Sequence, residues 1–350
     1  MRRIAIIMAG GSGERFWPVS QRDHPKQLLS LTGSGRTMLE EAVDRISPIV
    51  GIENVFIATA PHLLEALRGS SAGVPQDNVF AEPHKKNTAG ALVWAEYELG
   101  RRFPGECLSI AVVTADHQIS PKEAFSETVT RAFSTAEVEE GLVTIGIKPD
   151  RPETGYGYIE VGEHIGLAHR VKSFREKPDL ERAKEYVAVG NFFWNSGMFF
   201  WTSNTFNQEL KAASPGHFQF LEAATGKDIP SATELFEQLP NISIDYALME
   251  QSKKVYVVKA LFDWDDLGAW DALERVRPHD ASGNVVEGRA YTLDSHGSII
   301  LNQSTTHDIF GLGLENLIVV VTDATIMICP KDRAQEVRKL GSLSEETKLQ

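Results

Sequence analysis

Through the first half of the chain, short apolar runs rich in β-branched residues alternate with stretches whose apolar positions recur at helical spacing. The runs Ile4–Ala9, Val55–Ala60, Leu108–Thr114 and Leu142–Ile147 predict strands. Thr37–Ile46, Pro61–Arg68, Thr88–Leu99 and Pro121–Glu137 predict helices. Strands that are apolar on both faces and separated by helices build a parallel sheet covered on each side. The predicted fold class is therefore α/β, a doubly wound, mostly parallel sheet. Ligands of such sheets bind beyond the carboxyl ends of the strands, so the loops that follow these runs are where chemistry is expected.

From Gly155 to about Trp201 the pattern changes. Tyr156–Val161, Val171–Phe174 and Gly197–Trp201 predict strands joined by a helix at Leu180–Val189, an insertion beside the main sheet within residues 150–260. Helices are expected up to Gln251, and Lys254–Ala260 returns as a strand. Beyond Pro278 the runs Gly283–Arg289, Gly297–Asn302, Leu317–Val321 and Ile326–Cys329 stand at turn-punctuated spacing. They predict a small C-terminal β appendix, a short β-helix or a sandwich, closed by a polar helix at Asp332–Leu340. No clear repeat stands out. The expected division is a catalytic domain over residues 1–280 and a β domain with a terminal helix over residues 281–350.

Composition narrows this picture. The chain has 350 residues, 42% hydrophobic and 24% charged, an ordinary globular balance that excludes disorder. Its net charge of -13 gives no general attraction to nucleic acid or anionic lipid, so neither is an expected partner. A local basic cluster can still hold a phosphate. The two cysteines, Cys107 and Cys329, lie in apolar runs and are expected as buried thiols in a reducing, cytoplasmic setting. No apolar stretch approaches the roughly 18 residues of a membrane span, and the apolar run after Met1 is too short for an export signal.

The first strand runs into Gly10-Gly11-Ser12-Gly13-Glu14-Arg15. Three glycines let the backbone approach a ligand and turn its N–H groups into an anion cradle. The loop lacks the Gly-Lys-Ser/Thr of a Walker A motif, and Phe16 stands where a dinucleotide fingerprint needs its third glycine. Arg15 can clasp a triphosphate with its planar fork, and Lys26 can add a point charge. Alone, a Gly-rich loop is as readily an ordinary strand-to-helix turn. The added cations, at the end of the first strand, favour phosphate.

At this point the residues resemble a family. Gly-Gly-x-Gly-x-Arg followed by Trp-Pro, Ser and Pro-Lys-Gln is similar to the opening signature of sugar-1-phosphate nucleotidyltransferases. Phe16-Trp17-Pro18-Val19-Ser20 and Pro25-Lys26-Gln27 are closest to the mannose-1-phosphate guanylyltransferases among them. The resemblance continues through Glu82-Pro83, Lys86-Asn87-Thr88-Ala89, Ala115-Asp116-His117 and Thr154-Gly155-Tyr156-Gly157-Tyr158-Ile159. It then takes in Phe174-Arg175-Glu176-Lys177-Pro178, Asn195-Ser196-Gly197-Met198-Phe199 and Trp264 to Trp270. Each motif alone is weak; their common order carries the signal.

The resemblance implies a nucleotidyltransferase-like sheet and a set of roles. Gly10, Gly11 and Gly13 would cradle phosphates. Asp116, just past a predicted strand, and Asp266, within Trp-x-Asp-x-Gly-x-Trp, would hold Mg²⁺, which takes one or two carboxylates plus substrate oxygens. Asp265 is the competing choice for the second ligand, and Asp263 reads as a solvated loop carboxylate. Lys177 would bind the sugar phosphate, and Glu176, Asn195 and the backbone at Gly157 the sugar. Without the resemblance, Glu176 and Lys177 read as a surface ion pair and Asn195 as a turn residue. Guanine presents N1–H and N2–H₂ side by side, which one carboxylate can accept, so Glu82 is the candidate base reader, with Asn87 beside it. The alternative for Glu82 is a cap on the helix near Thr88. The family usually has Arg-Asn-Thr-Ala-Pro where this chain has Lys86-Asn87-Thr88-Ala89-Gly90. Lysine keeps the charge, and glycine relaxes a helix start that proline would fix.

The implied reaction joins GTP and mannose 1-phosphate into GDP-mannose and pyrophosphate, in the cytoplasm; a homodimer is compatible with it. The alternatives are guanylyl transfer to another sugar 1-phosphate, transfer of another nucleotide, and a non-catalytic regulatory homologue that binds nucleotide-sugars. A fused isomerase and transferase would need a further C-terminal domain, for which the β region after residue 280 is too small.

Overall fold

Val79–Ala81, Val55–Thr59, Arg2–Met8 and Leu108–Thr114 lie side by side as parallel strands. They open a nine-stranded sheet in a computed structural model that describes residues 1–70 and 72–348. The sheet continues through Phe192–Thr202, Leu142–Ile147, Val255–Lys259, Ala168–Arg175 and Tyr158–Ile165. Only Phe192–Thr202 and Ala168–Arg175 run against the rest. Val55–Thr59, Leu108–Thr114 and Leu142–Ile147 are buried on both faces, as their mostly apolar runs require. Helix Asn87–Arg102 lies in the core beside them, with Trp94 against Tyr97, Phe220 and Phe236.

Internal contacts divide the chain into two units. One comprises Met1–Gly10, Ala42–Thr114 and Ile119–Trp264, and contains the nine-stranded sheet. The other comprises Gly11–Glu41, Ala115–Gln118 and Asp265–Gln350. In this second unit Phe16, Leu29, Trp270 and Leu273 share one core with Val285, Ile299, Ile318 and Val337.

The β appendix is a short parallel coil. Val285–Glu287, Ile299–Asn302 and Leu317–Val321 stack in parallel, with Ile326–Pro330 antiparallel at the end. Ala290–Leu293 and Ile309–Leu312, absent from the sequence reading, form a second parallel ladder. The coil does repeat: Ala290 pairs Ile309 and Ile299 pairs Ile318, each nineteen residues on. Its corners repeat at that spacing too, with positive φ at Asp294 and Gly313 and again at Gly297 and Asn316. The repeat is hidden because each corner is filled by a different αL-tolerant residue.

Two other expectations change. The helix predicted at Asp332–Leu340 is a 3-10 turn, Lys331–Glu336, followed by an α-helix, Val337–Lys348. Cys329 is buried but Cys107 is only partly so, and both thiols are free. Among the described residues, no helix is long and apolar enough to cross a membrane.

Candidate active site

The second unit holds an open cavity of ≈ 320 Å³. Its wall includes the Gly11–Phe16 loop, Lys26, Gln27, Asp116, His117 and Asp266. Gly13 makes this shape possible. Its φ is 64°, and a Cβ there would fall 2.4 Å from Lys26 Cβ, so only glycine fits. The Ser20 hydroxyl donates to the Gly13 carbonyl at 2.6 Å, and the Gln27 amide donates to the Gly11 carbonyl at 2.9 Å. Gln27 Oε1 is buried without a hydrogen-bond partner, an acceptor left in the cavity wall.

Lys26 is 6% exposed, and its ammonium organises this wall. It donates to Asp116 Oδ2 at 2.9 Å and to the Asp266 carbonyl at 2.8 Å. Burial pushes the Asp116 carboxyl up, but the Lys26 charge, His117 and the Lys26 hydrogen bond together hold it below the ordinary carboxylate range. Arg15 is exposed and reaches the Gly268 carbonyl at 3.4 Å.

The neighbouring aspartates differ in their surroundings. Asp265 is 6% exposed and holds Arg275 in a two-point ion pair while accepting the Leu267 N–H at 2.8 Å. Asp266 lines the cavity. Asp263 is exposed. Among the described residues, no group of three or more His, Cys, Asp or Glu side chains could enclose a metal. Asp116 and Asp266 both line the cavity, two carboxylate residues of the type that a hard divalent cation takes alongside substrate and water oxygens.

The remaining predicted residues lie in the first unit: Gly10 ends its segment Met1–Gly10 and is not among the residues lining the cavity, and the others form two groups. Glu82 follows Val79–Ala81. Burial pushes its carboxyl pKa up to about 7, against the Lys86 N–H and the Lys85 charge. Its carboxylate accepts from the Lys86 N–H at 3.4 Å, and Lys86 is the residue before helix Asn87–Arg102, so Glu82 does touch the helix start. Asn87 takes φ 61° and its side chain accepts from the Thr88 N–H at 2.8 Å. Lys86 Nζ donates to the Glu237 carbonyl at 2.7 Å. Packing also favours glycine at position 90: a Cβ there would lie 2.3 Å from Lys86 Cβ and 3.2 Å from Phe236.

Gly157, Glu176, Lys177 and Asn195 come together as the second group. A Cβ on Gly157 would sit 2.7 Å from Glu176 Oε2 and 3.6 Å from Asn195 Cβ. The Gly157 carbonyl accepts the Asn195 N–H at 2.8 Å. Lys177, with φ 41°, pairs with Glu176 at 2.9 Å, and that hydrogen bond raises its pKa. The ion pair is there, but beside Gly157 and Asn195. Asn195 lies inside the strand Phe192–Thr202, not in a turn. The ladder to Leu142–Ile147 shifts register between Thr144 and Gly146, a bulge of the kind that re-aims a side chain. Thr144 Oγ1 then donates to Asn195 Oδ1 at 3.0 Å, and Asn195 Nδ2 donates to Asp245 Oδ1 at 2.8 Å.

Asp245 was missed by the sequence reading. It opens a π-helical turn, Asp245–Met249, and burial and then the Glu176 charge push its carboxyl pKa up. Such turns are rare and concentrate at functional sites, but nothing in the sequence pattern marks one. Gln27 and His117 stood in quoted motifs without an assigned role.

A family model described as nucleotidyl transferase matches residues 4–283, and one described as MannoseP isomerase/GMP-like beta-helix domain matches residues 288–341. The chain is 36% identical to the mannose-1-phosphate guanylyltransferase of Escherichia coli over 347 residues, 96% of this chain and 72% of that one. It is 35% identical to the enzyme of the same name from Salmonella muenchen, with the same coverage. The solved mannose-1-phosphate geranyltransferase of Thermus thermophilus superposes with a TM-score of 0.89 at 36% identity, over 99% of this chain and 100% of that one. The chain belongs to the nucleotidyl transferase family of sugar 1-phosphates, and its relatives there include mannose-1-phosphate guanylyltransferases.

Proposed function

We propose that this chain transfers GMP from GTP to mannose 1-phosphate, giving GDP-mannose and pyrophosphate. The observation that carries the reading is the Lys26 ammonium joining the Asp116 carboxylate to the Asp266 carbonyl in the wall of a Gly-rich cavity. Backbone N–H groups, two cations and two carboxylates are what a nucleoside triphosphate with Mg²⁺ requires. The names of the relatives support the sugar and the base.

In this reading a phosphate oxygen of the sugar attacks the α-phosphorus in line. The new P–O bond forms as the bond to the β-phosphate oxygen breaks, and pyrophosphate leaves with the electron pair. The attacking phosphate is already ionised, so no general base is needed. Asp116 and Asp266 would hold Mg²⁺, which when bound neutralises charge on the phosphates. Gly10, Gly11 and Gly13 cradle the triphosphate, and Arg15 and Lys26 hold its leaving end. Lys177 orients the sugar phosphate. Glu176, Asn195 and the Gly157 backbone bind sugar hydroxyls, and Glu82 with Asn87 reads guanine. Sparse cysteines support a cytoplasmic location.

The test is a panel of the four common nucleoside triphosphates against several sugar 1-phosphates, read by pyrophosphate release with Mg²⁺. GTP with mannose 1-phosphate should be preferred. Release with another pair would correct the base or sugar, and none with any pair would favour a non-catalytic binder.

A further inference from the structure

The helix Val337–Lys348 carries a cation whose setting differs from its neighbours'. Arg333 and Lys339 both pair with Glu336, at 2.8 Å each. Arg338 has Ala334, Gln335, Gly341 and Ser342 at helical spacing, so no acid stands beside it on the helix. It lines the cavity of Gly11, Gly13, Arg15 and Lys26 instead.

Packing aims it there. Val337 is buried in the core that holds Phe16 and Trp270, and Leu340 packs against the same core. At Gly341 the helix packs on the Trp17 ring, where a Cβ would be in ordinary van der Waals contact at 3.4 Å. Trp17 is itself fixed, since its carbonyl accepts the Trp270 indole N–H at 3.0 Å. The helix is therefore seated on the loop that follows the glycines, one turn from Arg338.

Charge then says what Arg338 faces. The cavity wall carries Arg15, Lys26 and Arg338 against Glu14, Asp116 and Asp266. Lys26 is matched by Asp116. A divalent cation bound at Asp116 and Asp266 would turn this balance of three cations against three acids into an excess of positive charge, Glu14 included, so the wall around the two guanidinium groups favours an anion. Two planar forks suit the outer phosphates of a triphosphate, which present several charged oxygens in different directions.

We infer that Arg338 binds the β- and γ-phosphates of the nucleoside triphosphate, and pyrophosphate in the reverse direction. This rests on the phosphate-binding reading of the cavity. It makes the end of the β appendix part of the substrate site.

The experiment is calorimetric binding of pyrophosphate, with Mg²⁺ present, to the full-length wild type, Arg338→Ala and Arg338→Lys. Kinetics with the best substrate pair from the panel accompany it. Arg338→Ala should bind pyrophosphate roughly tenfold more weakly or worse, and Arg338→Lys should fall between. The KM for the triphosphate should rise in step. Affinity for the nucleotide-sugar product, which lacks the leaving phosphates, and the melting temperature should stay unchanged. Equal pyrophosphate affinity in all three proteins overturns the assignment, and so does an equal loss for the nucleotide-sugar. A wrong base or sugar would show in the panel alone, because pyrophosphate is common to every nucleotide.

Discussion

Glu82 offers a sharp test of how the base is read. Its carboxyl has a pKa of about 7, so near neutral pH the protein holds both protonation states. Accepting guanine N1–H and N2–H₂ requires the carboxylate. The wild-type kcat/KM for GTP should therefore fall as pH drops below about 7, approaching tenfold per unit, or about 1.4 kcal/mol. A charge-assisted contact to both donors contributes about 1.5–3 kcal/mol. Glu82→Gln should thus lose about ten- to a hundredfold toward GTP at about pH 8, and much less at about pH 6. The ratio of wild type to variant isolates this group from the titration of GTP itself. The GTP-to-ITP preference should shrink in the variant, since inosine lacks the 2-amino group. Stability carries the opposite sign. A carboxyl whose folded pKa is raised favours the folded state at low pH, and that contribution declines as pH climbs from the ordinary carboxylate range to about 7. Glu82→Gln lacks the decline, so it should melt above the wild type at about pH 8 and close to it at about pH 4. A ratio independent of pH, with unchanged GTP-to-ITP preference, would refute the assignment. Guanine would then be read by backbone groups of Gly10–Gly13 or of the Lys86–Thr88 turn.

Other substitutions separate the remaining roles. Asp116→Ala and Asp266→Ala should each cut turnover by orders of magnitude at fixed Mg²⁺, and Asp116→Ala should also lower the melting temperature, because the buried Lys26 ammonium loses its carboxylate partner. Asp265→Ala should lower the melting temperature instead, because Arg275 loses its partner; near-normal turnover in Asp266→Ala would reverse the choice of ligand. Gly13→Ala combines a positive φ with a 2.4 Å clash, and should weaken GTP binding and destabilise by about 1–3 kcal/mol in a denaturant titration. Arg15→Lys keeps the charge but loses the fork, so the KM for GTP should rise several-fold; unchanged kinetics in Arg15→Ala would remove Arg15 from the site. Asp245→Ala frees the Asn195 amide and should raise the KM for the sugar phosphate well before that for GTP, with Asp245→Asn closer to wild type.

Local pattern made much of the sheet legible. Ile4–Ile7 and Ile110–Val113 are unbroken apolar runs because both faces of their strands are covered. The glycine loop was legible because few residues other than glycine tolerate such a backbone. What stayed hidden depends on partners far along the chain. Phe192-Phe193-Trp194 begins its strand before an Asn-Ser-Gly that reads as a turn, and only the pairing with Leu142–Ile147 turns that turn signal into a bulge. Asp265 and Asp266 are indistinguishable by type, and Arg275, ten residues on, separates them. Arg338 lies on a polar helix with no local signal of a ligand.

One hydrogen-bonded thread has a consequence for how such an enzyme can change its substrates. Thr88 Oγ1, in the turn beside Asn87, accepts the Ile244 N–H at 2.8 Å; the next residue, Asp245, holds the Asn195 amide at 2.8 Å. A shift at the Lys86–Thr88 turn is thereby handed through one peptide to the side chain beside Gly157 and Glu176. On the proposed roles, base preference and sugar preference are not independent dials. A lineage that altered one would disturb the other, and compensating changes should gather at 88, 244 and 245 rather than at residues touching either substrate.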